Sequence, residues 1–250
     1  MIQEWELVNY CNYNCEYCIL FENNVQTDEE ILKKFMDSLN KDINLLCLGG
    51  EPFLHPKIEF IINYLNKIKQ PFTFQTNAST KSLQIIEKLN INCIIDLQIS
   101  IHPTQITKKD LIKNIKKLRK INNIRVKKID IMCTEDAIDY YKLLTKFFKC
   151  TIVPISGFYE KDKEINCKYT TLFIKYKNKY IDINFEHYIV PEYNLPREIV
   201  WQKQCSGEIN NIGKKCNYQY SLYDSNLNKF NCCFKKNSSG ICENSGCFWM

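Results

Sequence analysis

Trp5-Glu6-Leu7-Val8-Asn9-Tyr10-Cys11-Asn12-Tyr13-Asn14-Cys15-Glu16-Tyr17-Cys18 carries a short apolar run straight into a loop with three cysteines in eight residues. Trp5–Asn9 reads as a strand. The same pattern of short apolar run and amphipathic helix then recurs. Strands are expected at Leu45–Leu48, Phe72–Thr76, Ile94–Ile101, Lys128–Met132 and Thr151–Pro154. Helix starts stand between them. Thr27 with Glu30 makes a capping box ahead of Ile31, Leu32, Phe35, Met36 and Leu39. Pro56 suits a first helical turn before Ile58, Ile61, Ile62, Leu65 and Ile68. Thr107 and Thr134 are expected to cap two later helices, with Asp110 and Asp136 in their first turns.

Alternating strands and helices predict an α/β fold with a parallel sheet, open or curled, and helices outside it. The stretch to residue 154 is too short for a complete eight-unit barrel, which takes about 250 residues. A partial (β/α)6 barrel is expected, followed by a small Cys-rich C-terminal extension. The expected division is 1–154 for the barrel core, 155–204 for a hairpin and connector, and 205–250 for the Cys-rich extension. Thr171–Phe185 alternates apolar and polar residues around Lys177-Asn178-Lys179, which predicts a β-hairpin. From Cys205 onward periodic hydrophobicity is sparse, so metal is expected to hold the segment's shape.

Composition narrows the function classes. The 250 residues are 45% hydrophobic and 25% charged, with few Gly and Pro, which excludes a disordered chain. No apolar run reaches membrane-span length and no signal-peptide pattern opens the chain, so a cytoplasmic protein without a membrane partner is expected. The net charge of +6 is nearly all lysine; arginine stands only at 119, 125 and 197. Arginine is the residue suited to forked phosphate and base contacts, so nucleic acid is not the expected partner. The lysine-dense stretch 108–120 reads as a solvated helix face.

Fourteen cysteines are the outlying number, and in a reducing compartment clustered thiols point to metal. Cys47, Cys93, Cys133, Cys150 and Cys167 are scattered singly and read as small core residues or bystanders. The others gather at the two ends: Cys11, Cys15 and Cys18, then Cys205, Cys216, Cys232, Cys233, Cys242 and Cys247. Three thiolates can ligate three irons of a cubane cluster and leave the fourth open for a ligand. A zinc site with a distant fourth ligand is the alternative.

The spacing Cys11-x3-Cys15-x-Tyr17-Cys18 resembles the signature of the radical S-adenosylmethionine (SAM) superfamily, with Tyr17 at its aromatic position. Leu48-Gly49-Gly50-Glu51-Pro52 resembles that family's Gly-Gly-Glu motif at the end of the second strand. Two glycines allow close backbone approach to a ligand, and a carboxylate can accept hydrogen bonds from the SAM ammonium. Phe74-Gln75-Thr76-Asn77 and Gln98-Ile99-Ser100-Ile101-His102 resemble the polar endings of the third and fourth strands. The resemblance implies a [4Fe–4S] cluster on Cys11, Cys15 and Cys18. It implies a SAM site of Tyr17 against the adenine, Gly49, Gly50 and Glu51 at the ammonium, and Ser100 and Asn77 at the carboxylate or ribose. His102 reads as a structural hydrogen-bonding group or a residue facing substrate. The family's fifth-strand element is missing; Ile131-Met132-Cys133-Thr134-Glu135 stands in its place, and adenine contacts from that strand stay unassigned.

Cys216, a turn at Tyr223–Asn228, Cys232, Cys242 and Cys247 resemble the family's SPASM/twitch extension, which binds an auxiliary Fe–S cluster. Cys205 and Cys233 are alternate ligands. The usual Gly after the first Cys is absent and the spacing is shortened, which leaves zinc open as the metal. The resemblance implies an enzyme that cleaves SAM reductively to a 5′-deoxyadenosyl radical, with an electron donor such as flavodoxin or ferredoxin. The radical would take hydrogen from a sugar, nucleotide or other small metabolite. A peptide substrate is the alternative, made less expected because no docking domain precedes Trp5. A non-enzymatic Fe–S or zinc-binding adaptor is the rival of another kind.

Overall fold

A computed structural model of the chain describes residues 2–18, 25–155, 163–190, 193–209 and 220–230. Strands β1 (Ile2–Val8), β2 (Leu45–Gly49), β3 (Phe72–Thr76), β4 (Ile95–Ile101), β5 (Ile124–Met132) and β6 (Thr151–Val153) lie side by side in chain order, all parallel. Helices α1 (Glu29–Asp37), α2 (Ile58–Lys67), α3 (Thr80–Ile86), α4 (Lys108–Leu118) and α5 (Ala137–Leu144) connect them, with a single 3₁₀ turn at Pro52–Leu54 after β2. The expected α/β architecture is the one observed.

Strand alternation divides the sheet into two faces. Trp5, Leu7, Leu45, Cys47, Phe74, Leu97 and Ile99 are buried in one core with Leu32, Met36, Ile61, Ile62, Leu65, Leu111 and Ile115 from the helices. Trp5 meets Phe35 of α1 edge-on at 4.7 Å. The alternate positions Glu4, Glu6, Gln75, Gln98 and Ser100 face a cavity instead. Of the cysteines expected in apolar surroundings, Cys47, Cys133 and Cys150 are buried. The lysines of α4 point outward, with Lys108 paired to Asp139 and Lys117 to Glu87.

Several local expectations are corrected. The N-cap of α1 is Asp28, whose carboxylate accepts from the backbone of Glu30 and Ile31, not Thr27. Lys57, after Pro56, caps α2, and Asp136 caps α5 in place of Thr134; Thr107 does cap α4. The expected hairpin at Thr171–Phe185 is instead the end of a long helix, α6 (Lys163–Lys179), and the segment after it. Tyr169, Phe173, Tyr176 and Tyr180 recur at steps of four, three and four, a helical spacing that the local alternation hid. Phe173 packs edge-on against Phe185 at 5.5 Å.

A two-stranded pair, β7 (Ile189–Val190) and β8 (Leu195–Pro196), leads into α7 (Arg197–Cys205). Then β9 (Tyr220–Tyr223) joins the main sheet parallel to β1, and β10 (Lys229–Phe230) pairs antiparallel with β9. The expected turn at Tyr223–Asn228 links them; Asp224 accepts from the backbones of Asn226 and Asn228. Cys216, Cys232, Cys233, Cys242 and Cys247 lie outside the described residues. Cys205, an alternate ligand by sequence, forms a disulfide with Cys167, itself read as a bystander. Among the described residues, no helix is long and apolar enough to cross a membrane.

Candidate active site

The cysteine loop leaves the end of β1 and runs across the end of β2. Gly50 N donates to Val8 O at 2.8 Å and Glu51 N donates to Tyr10 O at 3.0 Å. Gly49 sits at φ +127°, and a Cβ there would lie 2.3 Å from Val8 O. A Cβ on Gly50 would lie 2.0 Å from Tyr10 O. Both contacts are far inside van der Waals range and both are to backbone. The glycines therefore seat the chain's own cysteine loop. They also line the cavity.

The Glu51 side chain is completely buried and does not line the cavity. The carboxylate accepts from Thr76 Oγ1 at 2.8 Å, Asn77 N at 2.8 Å and Phe53 N at 3.3 Å. Burial raises its pKa to about 7 against the pull of those donors. These bonds tie the end of β2 to the end of β3. Asn77, fixed by that bond, turns Nδ2 toward Cys11 Sγ at 3.4 Å and Asn12 Oδ1 at 3.1 Å. Its Oδ1 accepts from Ser79 N and Ser82 Oγ.

Cys11, Cys15 and Cys18 are free thiols at one end of the cavity. Burial raises the Cys11 thiol, and burial with the neighbouring thiols pushes Cys15 up to about 12. Such thiols stay protonated until a metal displaces the proton. Tyr17 is buried, stacks on His102 at 5.9 Å and meets Tyr169 of α6 edge-on at 5.4 Å. Tyr169 Oη in turn donates to Glu16, so α6 holds the loop between the second and third cysteines. Burial lowers His102 to about 4, which keeps the ring neutral at physiological pH.

The cavity has a volume of about 480 Å³, within the usual range for a small-molecule site. Ser100 lines it and accepts from Gln75 Nε2 at 2.9 Å. Gln98 Nε2 and Lys128 Nζ both reach Asp130 Oδ2, at 3.0 and 2.9 Å. Charged wall residues not found from sequence include Glu4, Glu6, Lys128 and Asp130, and the ion pair of Glu186 with Arg197 at the start of α7. Burial lowers Arg197 to about 10 and its guanidinium lies over Trp201, 4.9 Å from the ring centroid. The scarcity of arginine was the available signal, because an isolated Arg in a lysine-rich chain marks a place where fork geometry is used.

The structure thus gathers Cys11, Cys15, Cys18, Tyr17, Gly49, Gly50, Asn77 and Ser100 on one cavity, and leaves Glu51 behind them. Among the described residues, no three His, Cys, Asp or Glu side chains are grouped to hold a single metal ion. Each of the loop's three thiolates can take one iron of a cubane, so its donor set fits a three-cysteine cluster. The polar wall beside it fits a small ligand of mixed polarity.

Residues 5–165 match the model of the radical SAM superfamily. An AdoMet-dependent heme synthase of Methanosarcina barkeri is 32% identical over 106 residues, 39% of this chain and 30% of that protein. Streptococcus suis SuiB, solved bound to S-adenosylmethionine, superimposes with a TM-score of 0.55 at 16% identity, over 92% of this chain and 60% of SuiB. SuiB has also been solved bound to its precursor peptide SuiA. The protein anSMEcpe, with bound AdoMet and the Cp18Cys peptide, superimposes with a TM-score of 0.53 at 13% identity, over 97% and 76% of the two chains. The chain therefore spans less than a third of the heme synthase and under two thirds of SuiB. At these identities the superpositions speak for the fold, and the match over 5–165 speaks for the family: the chain belongs to the radical SAM superfamily.

Proposed function

We propose that this chain is a radical SAM enzyme whose cluster is held by Cys11, Cys15 and Cys18 and whose SAM lies in the adjoining cavity. The observation that carries this is the convergence of the three thiols with Gly49, Gly50, Asn77 and Ser100 on one cavity of about 480 Å³. When bound, the cluster and SAM supply reductive cleavage and a radical that takes hydrogen from substrate. The protein's part is to position and to shield. Asn77 steadies Cys11, Tyr17 offers a ring face for the adenine, and Ser100 and Asn77 offer polar groups for the methionine or ribose portion. Glu51 acts behind Asn77.

The cavity volume of about 480 Å³ suits a small metabolite as the substrate. SuiB and anSMEcpe, both solved with peptides, favour a peptide equally well, with only its reacting side chain entering. In this proposal Cys216, Cys232, Cys242 and Cys247 hold an auxiliary cluster or zinc, and a flavodoxin or ferredoxin supplies electrons. Anaerobic reconstitution tests the reading. The reduced protein should show the electron paramagnetic resonance signal of a [4Fe–4S]⁺ cluster, and that signal should change when SAM is added. A signal insensitive to saturating SAM would contradict an open iron in this cavity.

A further inference from the structure

His102 follows the last residue of β4 and lines the cavity beside the cysteine loop. Its Nδ1 lies 3.0 Å from Tyr17 Oη and 3.5 Å from Cys15 Sγ. His102 Nδ1 is thus the shared corner of a small triangle with the phenol and the sulfur, packed on one side by Tyr13, whose ring meets His102 edge-on at 6.0 Å. Hydrogen bonds brace the cysteine and histidine corners. Cys15 O accepts from Cys18 N at 3.0 Å, Gln105 spans to Asn14, and Gln105 N donates to His102 O at 2.9 Å.

Metal binding decides the direction of these hydrogen bonds. A thiol can donate or accept, but a cluster-bound thiolate can only accept. Once Cys15 ligates iron, the two remaining corners must supply the donors. A neutral imidazole carries one proton, and placing it on Nδ1 lets the ring donate into the triangle. The phenol hydroxyl then donates to the sulfur. An aromatic ring alone satisfies the packing requirement at position 17, so the hydroxyl is a separate feature of this chain.

We infer that Tyr17 and His102 form a donor pair to the Cys15 ligand, which orients that thiolate and raises the reduction potential of the cluster it holds. Hydrogen bonds to cluster sulfurs stabilise the more negative, reduced state, which is the physical basis of the shift. In this assignment His102 is a positioning residue, and the hydroxyl of Tyr17 has a role distinct from that of its ring. The inference rests on the cluster assignment proposed above.

The test uses the full chain, reconstituted anaerobically, as wild type, Tyr17→Phe, His102→Phe and His102→Asn. Tyr17→Phe keeps the ring and removes one donor. His102→Phe keeps the bulk and removes the other, while His102→Asn places an amide N–H near the Nδ1 position. Iron content and the cluster's midpoint potential, measured by redox titration, are read for each. The expected result is full iron content throughout, a more negative potential in Tyr17→Phe and His102→Phe, and recovery toward wild type in His102→Asn. Equal potentials in all four loaded proteins would overturn the donor pair while leaving the cluster assignment intact. Equal potentials in wild type and Tyr17→Phe alone would overturn it even if the His102 variants failed to fold. A wild-type chain that takes up no cubane cluster would overturn the proposed function and this inference together.

Discussion

The Glu51 carboxylate and the Asn77 backbone meet at 2.8 Å, and this bond connects a fully buried acid just after β2 to a cysteine on the cavity wall. Asn77 completes the connection with its side chain, 3.4 Å from Cys11 Sγ. The carboxylate of the Gly-Gly-Glu motif thus also braces two strand ends.

Glu51→Gln tests that role through pH. Burial holds the folded-state pKa at about 7, above the ordinary value of 4.5. Between those values the folded chain keeps a proton that the unfolded chain has lost. Wild-type stability should therefore fall as pH rises from about 4.5 to 7 and level off above. A glutamine turns an N–H toward one of three donors, which costs about 1–3 kcal/mol. In urea denaturation the gap between wild type and Glu51→Gln should be largest near the acid end and narrow toward pH 7. A gap independent of pH would show that Glu51 is ionised throughout.

Gly50→Ala should be more damaging than its size suggests. The new Cβ would sit 2.0 Å from Tyr10 O, so the cysteine loop must move. Overpacking of this kind costs about 1–3 kcal/mol. Iron uptake should fall along with stability. Gly207→Ala is the comparison, since its Cβ meets nothing within 4 Å and costs only the strain of a φ of +81°. Equal iron content in the two variants would contradict the seating role.

The Cys167–Cys205 disulfide joins α6 to the end of α7 across a sequence separation of 38. A loop of that length is stabilised by roughly 2–4 kcal/mol when closed. Peptide mapping under non-reducing conditions should recover this pair from oxidised protein, and Cys167→Ser should lose that stability. Recovery of Cys205 bound to metal in anaerobically loaded protein would restore it as a ligand instead.

The parallel sheet was legible because each strand of the first six units carries its own apolar run and each helix its own stripe. The cysteine loop was legible because ligation needs residue type and spacing together. Helix α6 was not: Thr170, Thr171 and the aromatics around them suit a strand locally, which masked the helical spacing that packing against Tyr17 and Phe185 uses. Strand β9 was hidden for a similar reason, since its partner is β1, more than two hundred residues away. Glu186 and Arg197 reach the cavity from segments with no recognisable motif. Glu51 was legible as part of the site, but its bonds to Thr76 and Asn77 were not, because they join residues twenty-five and twenty-six positions apart in the chain.

The tail can be separated from the core by metal analysis. If Cys242 and Cys247 hold an auxiliary cubane, the loaded chain carries about eight irons, and about four with one zinc if the tail is a zinc fold. Changing both to Ala should remove only the second metal and leave the N-terminal cluster. Full metal content in a folded double variant would contradict their role as ligands.

The most direct test of the central claim is SAM cleavage by the anaerobically reconstituted, chemically reduced chain, followed as 5′-deoxyadenosine by chromatography. Wild type should form it, and Cys15→Ala, which removes one of the three thiols the cluster needs, should form none. Formation of 5′-deoxyadenosine by Cys15→Ala at the wild-type rate would contradict the account.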